Sequence, residues 1–493
     1  MLRRTLLLIA AWCMVQAAWG ESIYAMYEKA VASDPMLKAA AANYRASRAG
    51  VYEAGSALMP QFTYIQSENE SDITLVGTEG ILNTTSEVRE IQGSMALIDA
   101  AGWARVRSAN RSRAAAFAAF DDKSQELILR FTRAYLEALT AVENVRVAEA
   151  EFRAVGRQSE VANSRYEAGL GNITERHEAK FQFDLVRVGL IRAQGEVELS
   201  RERLIEIVGE PVEVLLPISD SYHAQMPYPE KREDWVELAL KNSPMLRQAG
   251  EEMKAAKANM AVAFSAHLPV VRAVASKREA TQYNFGLRSD LETEDETLGL
   301  RLTIPLFAGG GNFARQRRAS NQYQAARQNE IAVRRALVRQ VRNAYQQVET
   351  ALGNLRAMRQ AVLSAQSAYQ ATEVGYETGT RNIVDVLNAQ RLLYSAQRDT
   401  VSARNGFIIS LFSLRYATGS LRPQHIRDLA VWQPGTPEAE AFPGRPGDST
   451  RRRQMPPYQD DEDAESEDDA PQPEGDEEGG ENEGRQEGQT VKA

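Results

Sequence analysis

The feature that most constrains the fold of this chain is an internal repeat. Residues Ser33 to Leu37 recur as Asn242 to Leu246, an offset of 209, and Tyr166 to Gly169 recur as Tyr376 to Gly379, an offset of 210. Because solenoid repeats have periods of only about 20–50 residues, so long an offset indicates a duplicated domain. The two copies are therefore expected to share one fold.

Each copy shows the same order of predicted elements. A helix begins at a proline, which suits the first helical turn; two extended segments follow, then a very long helix, a short glycine turn and a further helix. The predicted helices, given as pairs from the first and second copy, are Pro35–Ala57 and Pro244–Ala266, Ala104–Glu167 and Phe313–Glu377, and Thr174–Val208 and Ile383–Ala417.

The two long helices carry a heptad pattern with alternating steps of four and three. Such a pattern is typical of a coiled-coil seam. About 64 residues at 1.5 Å each give a helix of roughly 95 Å, and the two shorter helices of a copy give nearly the same length end to end. Each copy is therefore expected to pack one long helix against two short ones. The seam positions are Leu127, Phe131, Ala134, Ala138, Ala141, Val145, Ala148, Phe152 and Val155, then Leu337, Val341, Ala344, Val348, Ala351, Leu355, Met358, Val362 and Ala365.

The extended segments alternate apolar and polar residues. The clearest runs from Thr297 to Leu306, with leucines or isoleucine at every second position; weaker alternation surrounds Phe62, Ile91 and Val271. This pattern is typical of a transmembrane β-strand, apolar outside and polar inside, but also of a half-buried strand in a soluble sheet.

The number of strands bears on that choice. Four strands cannot close a barrel, for which about eight are the usual minimum. Open sheet edges cannot face lipid because their backbone groups lack partners there. Membrane strands in this chain would therefore require several chains to share one barrel, and three chains would supply twelve strands.

The N-terminus resembles a secretory signal peptide. Arg3 and Arg4 precede a largely apolar run, and Ala18 and Gly20 place small residues at −3 and −1 of a cut before Glu21. An N-terminal anchor helix is the alternative. The single cysteine, Cys13, would leave with the signal, and the residue before it, Trp12, argues against lipidation.

The acidity of the chain is concentrated in a tail. Residues 460–487 hold 15 Asp or Glu and one Arg, and removing this −14 from the net charge of −9 leaves +5 for the rest. The segment from about Pro434 to Ala493 is too polar to form a core, so we expect a disordered, solvated tail. Cation or partner binding there is the alternative.

Several classes of protein are excluded by what the sequence lacks. No internal stretch reaches the about 20 apolar residues of a spanning helix, which excludes a polytopic helical membrane protein. The four histidines show no ligand spacing, and no phosphate loop, nucleophile elbow or zinc motif occurs. We therefore expect no enzyme, cofactor or metal, and an exported chain without a basic aromatic patch is not expected to bind nucleic acid.

The paired glycine-turn motifs resemble the TolC family of outer-membrane efflux and type I secretion channels. The motifs run from Tyr166 to Glu175 and from Gly375 to Ala389, and the resemblance covers nearly all of residues 21–420. It implies a mainly α fold with a β-barrel part. In a homotrimer, a duplicated coiled-coil α-barrel would hang into the periplasm below a shared twelve-stranded transmembrane β-barrel in the bacterial outer membrane.

The signal, the repeat and the tail divide the chain, and the resemblance adds two segments of an equatorial belt. The predicted division is a signal peptide at 1–20, a first repeat at 21–209, an equatorial-belt segment at 210–232, a second repeat at 233–420, a second belt segment at 421–435 and an acidic disordered tail at 436–493. The implied partners are outer-membrane lipid, a periplasmic adaptor (membrane fusion) protein and an inner-membrane ABC or proton-driven transporter. The adaptor would dock at the tip turns Gly169, Gly171 and Gly379.

The family's gate can be placed on this sequence. The resemblance implies that Tyr376 and Arg381 link to Thr174 and Glu175, and that Glu373 links to Gln158. It places a pore constriction at Asp385 and Asn388, where Asn388 stands in place of a second carboxylate and should weaken cation selectivity. From the residues alone, Asp385 lies on one face with Asn388 but equally suits a helix start near Asn382.

A structural periplasmic coiled coil or adhesin-like protein without a pore is the alternative function. The strand pair inserted in both copies distinguishes the two, because a pure coiled coil has no use for it. The sequence does not identify the cargo, whether protein, drug or metal, nor the pump that delivers it.

Overall fold

A computed structural model describes residues 21–74, 81–212, 214–219, 224–284 and 290–433. The predicted signal peptide with Cys13 and the predicted acidic tail at 436–493 lie outside the described residues. The described residues all belong to the unit that ends at Phe442.

The first copy of the repeat folds in the predicted order. Helices α1 and α2 precede strands β1 and β2, and the long helix α3 and the shorter α4 follow. Their bounds are α1 Ile23–Ser33, α2 Pro35–Ser56, β1 Gln61–Thr74, β2 Ile81–Ile98, α3 Ala100–Glu167 and α4 Ile173–Val208.

The second copy repeats this order element by element. Its 22-residue α6 matches α2 in length, and its 67-residue α7 is one residue shorter than α3. The bounds are α5 Arg232–Asn242, α6 Pro244–Ser265, β3 Val270–Asn284, β4 Leu291–Thr303, α7 Gly311–Glu377 and α8 Ile383–Ala417, with a short α9 Gln424–Ala430 at the end.

Local side-chain caps explain where the helices begin. Asp34 accepts a hydrogen bond from the Leu37 amide at 2.7 Å, directly before Pro35. Asp99 accepts one from the Gly102 amide at 2.9 Å, so α3 begins at Ala100, four residues before the predicted start. Such caps satisfy amide groups that the first helical turn leaves unpaired.

The four strands form one antiparallel sheet in the order β1-β2-β3-β4, so β2 of the first copy pairs with β3 of the second. The predicted strand at residues 297–306 has the correct side chains on each face, but its two ends differ from the prediction. Strand β4 runs from Leu291 and ends at Thr303, before Pro305, which has no amide hydrogen to give to a ladder.

The two faces of the sheet differ in polarity. Residues directly opposite in neighbouring strands share a face, and one such row is Phe62, Gly93, Ala275 and Leu298. On that face the large apolar side chains are 38–89% exposed; they include Phe62, Tyr64, Ile91, Met95, Leu298, Leu300 and Leu302. The opposite face carries polar and charged side chains, namely Thr63, Gln92, Arg272, Ser276, Thr297 and Arg301.

The long helices pack mainly as predicted from the heptads. Helix α3 packs along α4, α7 packs along α8, and α3 also packs along α8 of the other copy. Most seam positions of α3 between Leu127 and Val155 are buried. Those of α7 are buried at Leu337, Val341, Ala344, Val348 and Leu355 and half-buried at Ala351, Met358, Val362 and Ala365.

The main core, here called the belt core, lies at one level of the helical bundle. Phe131, Tyr135 and Phe407 are fully buried there. Short helices α1, α5 and α9, with residues Val212 and Ile218, pack on the long helices at this level. Gln433 ties the level together, since its side chain accepts from the Ile23 amide at 2.9 Å and donates to the Tyr135 hydroxyl at 2.7 Å.

Within the described part of the chain, no helix combines the length and the apolarity that crossing a membrane would require.

Candidate functional site

Two glycine turns of the same geometry join the long helices to α4 and α8. Gly169 (φ +71°) and Gly379 (φ +77°) both adopt the left-handed conformation that favours glycine. The amides of Leu170 and Thr380 close the turns by donating to the carbonyls of Arg165 and Gly375, at 2.9 and 2.8 Å. We call these two turns and the adjoining helix ends the tip.

The two turns carry their arginines at exchanged positions. Arg165 corresponds to Gly375 in the repeat, and Gly171 corresponds to Arg381. A Cβ at Gly171 would approach Arg165 Cβ to 3.2 Å, and a Cβ at Gly375 would approach Arg381 Cγ to 2.8 Å. Each turn therefore accommodates an arginine only because the residue packed against that arginine, Gly171 or Gly375, is glycine.

A small apolar cluster connects the two turns. It contains Val155 and Ala162 of α3, Ala179 of α4, and Ile383 and Leu387 of α8. We call it the tip cluster. The partly buried Phe183, Val186 and Tyr376 pack against it, and the Arg165 guanidinium lies 5.3 Å from the Tyr376 ring centroid, within range of a cation–π interaction. The hydroxyl of Tyr376 is buried and has no hydrogen-bond partner among the described residues.

Arg381 and Asp385 lie together at the start of α8. Their side chains are 62% and 37% exposed, and Arg381 Nη1 lies 3.9 Å from Asp385 Oδ2. Asp385 also forms a capping box with Asn382, in which each side chain accepts from the other's amide, at 2.9 and 3.4 Å. The helix-start interpretation of Asp385 is therefore observed; Asn388, one turn on, is exposed.

The other predicted gate residues lie near the tip but are not linked within one chain. Thr174 is exposed and Glu175 half-buried in the first turn of α4, and Gln158 is half-buried on α3. Glu373 accepts a 2.7 Å hydrogen bond from the Tyr369 hydroxyl, and the pKa of Tyr369 is raised, first by burial and then by this carboxylate. Among the described residues, no hydrogen bond or ion pair joins Arg381 or Tyr376 to Thr174 or Glu175, or Glu373 to Gln158.

Sequence reasoning missed a buried polar ladder between α3 and α8. Arg404 binds both carboxylate oxygens of Glu143, at 2.6 and 2.5 Å, and the two side chains are 7% and 9% exposed. The Arg404 guanidinium also donates to the carbonyl of Ile218 at 3.4 Å. Farther toward the tip, Arg398 binds Glu151 at 2.5 Å. The available signal was two glutamates eight positions apart beside the apolar seam of α3.

A groove between α3 and α4 opens near the first turn. It is lined by charged and polar side chains together with Phe183, among them Arg176 and His177 of α4. Among the described residues, no group of three or more His, Cys, Asp or Glu side chains is placed to hold a metal ion.

The chain matches a known family over both repeats. Residues 26–210 and 235–420 match the family model described as outer membrane efflux protein. Over 430 residues the chain is 33% identical to the outer membrane protein TolC of Vibrio cholerae, covering 84% of this chain and 94% of that relative.

Two further similarities agree with this match. The alkaline protease secretion protein AprF of Pseudomonas aeruginosa is 26% identical over 406 residues, covering 80% of this chain and 84% of that relative. The crystal structure of the outer membrane protein VceC of Vibrio cholerae superimposes with a TM-score of 0.66 at 19% identity, covering 81% of this chain and 99% of that one. That structural likeness concerns the fold.

Proposed function

The chain belongs to the outer membrane efflux protein family, a family of channels in the bacterial outer membrane, and we propose that it forms a homotrimeric exit duct there. The observation that carries the proposal is the sheet. Its two strand pairs directly precede the long helices α3 and α7 in the chain, and it exposes large apolar side chains on one face and polar ones on the other.

The sheet needs neighbours to be stable in a bilayer. Strands β1 and β4 are its edges, and in lipid an unpaired edge leaves backbone groups without partners. Three chains of four strands give twelve strands, enough to close a barrel. The exposed Phe62 and Leu298 would then face lipid, and Thr297 and Gln92 would face the lumen.

One face of helix α4 lies uncovered within the chain and could bind a neighbouring subunit, as the edges of the sheet could. Helix α3 covers α8, but the copy-related α7 makes no comparable contact with α4 in the described part of the chain. As a result, Ile383 is fully buried whereas its counterpart Ile173 is 40% exposed, and α4 exposes Leu185, Val188 and Ile191. In a closed ring, α7 of an adjacent chain would cover this face of α4.

The tip is the proposed gate and constriction. Asp385 and Asn388 share one face of α8, and three copies of Asp385 would form a ring of carboxylates, an arrangement that attracts cations. In the closed tip, Tyr376 and Arg381 of the α7–α8 hairpin would bind Thr174 and Glu175 of an α3–α4 hairpin across the ring. Glu373 would bind Gln158 in the same way.

The proposed duct serves a machine that spans the periplasm. An adaptor protein would dock at the turns of Gly169, Gly171 and Gly379, with the groove at Arg176 and His177 beside them. An inner-membrane ABC or proton-driven transporter would supply the cargo. The similarity to a protease secretion protein favours protein export through this duct. The belt segments at 210–232 and 421–435 fit a ring around its middle, since Ile218 and Ile426 share the belt core.

Two arginine substitutions three residues apart on strand β4 test the proposal. Leu300→Arg places a charge on the apolar face of β4, at a cost of about 2–4 kcal/mol at the bilayer midplane. Thr297→Arg places the same charge on the polar face of the same strand. We expect Thr297→Arg to yield heat-modifiable trimers that conduct in a planar bilayer, and Leu300→Arg to yield few or none.

Absence of conductance and of heat-modifiable trimers from the unmodified chain would contradict the proposal. That result would favour the pore-less periplasmic coiled coil instead.

A further inference from the structure

Two arginines lie directly opposite each other on the polar face of the sheet. Arg272 of β3 is the register partner of Arg301 of β4, and Ala96 of β2 continues the row. Both arginines are exposed. Residues directly opposite in an antiparallel pair have their Cβ atoms only about 4.5–5.5 Å apart, and like charges in such positions destabilise the pair.

No acidic side chain compensates this pair. Among the described residues, no ion pair includes Arg272 or Arg301. The next rows on the same face are Val274 with Gly299 and Ser276 with Thr297, and the row toward the helices is Val270 with Thr303.

The acidic residues of these strands lie farther along. On the polar face, the first acidic residue of β4 is Asp295, which is paired in register with Arg278. It is six residues from Arg301, or about 20 Å along the strand at about 3.3 Å per residue. An arginine side chain cannot bridge that distance, so two guanidinium groups share one uncompensated site.

The chemistry of this pair selects its ligand. Guanidinium groups bind oxyanions through two parallel hydrogen bonds, and these charge-assisted bonds are stronger than neutral ones. An oxyanion that bridges Arg272 and Arg301 would also remove their mutual repulsion. Phosphate-like and carboxylate-bearing molecules have this chemistry.

We propose that Arg272 and Arg301 form a ring of six guanidinium groups inside the barrel, which binds multivalent oxyanions on their way out. The ring rests on the proposed function, because it requires three chains and a polar face that lines the lumen. It places a cationic level in the duct above the carboxylates of Asp385, so the two levels oppose each other in charge.

Ion selectivity in a planar bilayer tests the ring. In the double variant Arg272→Ser/Arg301→Ser, we expect the chloride-to-potassium permeability ratio, measured from the reversal potential in a KCl gradient, to fall at least about threefold, since one kT of potential changes local ion concentration by about that factor. We also expect block by inorganic tripolyphosphate to require an about tenfold higher concentration, because charge-assisted hydrogen bonds are lost.

Two further variants make the test specific. Arg272→Lys/Arg301→Lys keeps the charge and should retain most of the chloride preference while weakening tripolyphosphate block. Arg89→Ser removes the same residue type from the opposite face of the neighbouring strand β2 and should change neither measurement.

The outcomes separate the two proposals. Normal conductance with an unchanged permeability ratio and unchanged block in the double serine variant would overturn the ring and leave the duct standing. A wild-type chain that forms no conducting trimer would overturn the duct and the ring with it.

Discussion

The belt core and the tip cluster hold the same four long helices together by very different means. At the belt, large aromatic side chains are fully buried and the Glu143–Arg404 pair is 7–9% exposed. At the tip, five small or aliphatic side chains form the buried cluster, and the exposed Arg381–Asp385 pair lies within the start of α8 and joins no two helices. The difference indicates that the helices are anchored at the belt and can separate at the tip at lower cost.

The largest expected effect is at the belt. Arg404→Ala leaves the Glu143 carboxylate buried without its partner, so it should lower the free energy of unfolding by about 3–5 kcal/mol. Denaturant unfolding followed by circular dichroism measures this. Arg334→Ala is the matched control, because Arg334 is 55% exposed in its pair with Glu330 at 3.2 Å, and a pair open to solvent is worth at most about 1 kcal/mol. Equal losses in both variants would contradict an anchored belt.

A buried tip residue should have a large effect that stays local. Ile383→Ala removes a fully buried side chain, a change that costs about 2–5 kcal/mol in protein cores. We expect faster hydrogen exchange of the amides around both turns, with the belt amides unchanged. The copy-related Ile173→Ala, at a side chain 40% exposed within the chain, should have a smaller effect. Faster exchange at the belt in Ile383→Ala would show that the two levels are not independent.

The belt should also respond to acid through His425. Burial and, secondarily, Arg415 lower the pKa of His425 from 6.5 to about 4, and its Nδ1 accepts a hydrogen bond from the Arg422 amide at 3.0 Å. The unfolded chain therefore binds the proton more readily, and stability should fall by up to about 3 kcal/mol as the pH drops from 6.5 to 4.

The variant His425→Gln isolates this contribution. Burial raises the pKa of the nearby Asp428 carboxyl, which favours the folded chain in acid and offsets part of the loss. His425→Gln keeps an acceptor for the Arg422 amide and should show a smaller loss than the wild type over the same range of pH. Identical pH profiles of unfolding would contradict the role of His425.

The smallest energetic effect, with a visible functional result, is expected for Arg381→Ser. The proposed link from Arg381 to Glu175 across the ring would be an exposed pair worth up to about 1 kcal/mol, so its loss should raise the open population of the tip by up to about fivefold. Single-channel conductance measures this. Arg391→Ser, which removes an exposed arginine three turns farther along α8, should leave conductance unchanged. A similar change in both variants would count against a specific gate at Arg381.

The parts of the fold that were predictable from the sequence depend on local interactions. Four helices end where the sequence predicts, because a glycine lies one or two residues beyond each helix end. These ends are Glu167, Val208, Glu377 and Ala417. The Asp385 cap is similarly local, since its partner Asn382 is three residues away.

The parts that were not predictable depend on contacts between distant segments. Glu143 and Arg404 are separated by 261 residues, and the repeat gave no indication because the copy-related positions are Gly353 and Gln194. The exchange of arginine and glycine between the two turns is visible in the sequence. The reason for it is not, because only the structure shows that Gly171 packs against Arg165 and Gly375 against Arg381.

The pairing of β2 with β3 has a consequence for biogenesis. Because one sheet is shared by both copies and ends in two open edges, a single chain has no stable way to insert its strands alone. In the proposed trimer, membrane insertion and subunit assembly therefore occur together. Until then, the helical part stays in the periplasm without its partner subunits. A subunit with intact helices and a damaged edge strand would then be dominant-negative, because it would bind wild-type subunits in assemblies that cannot insert into the membrane.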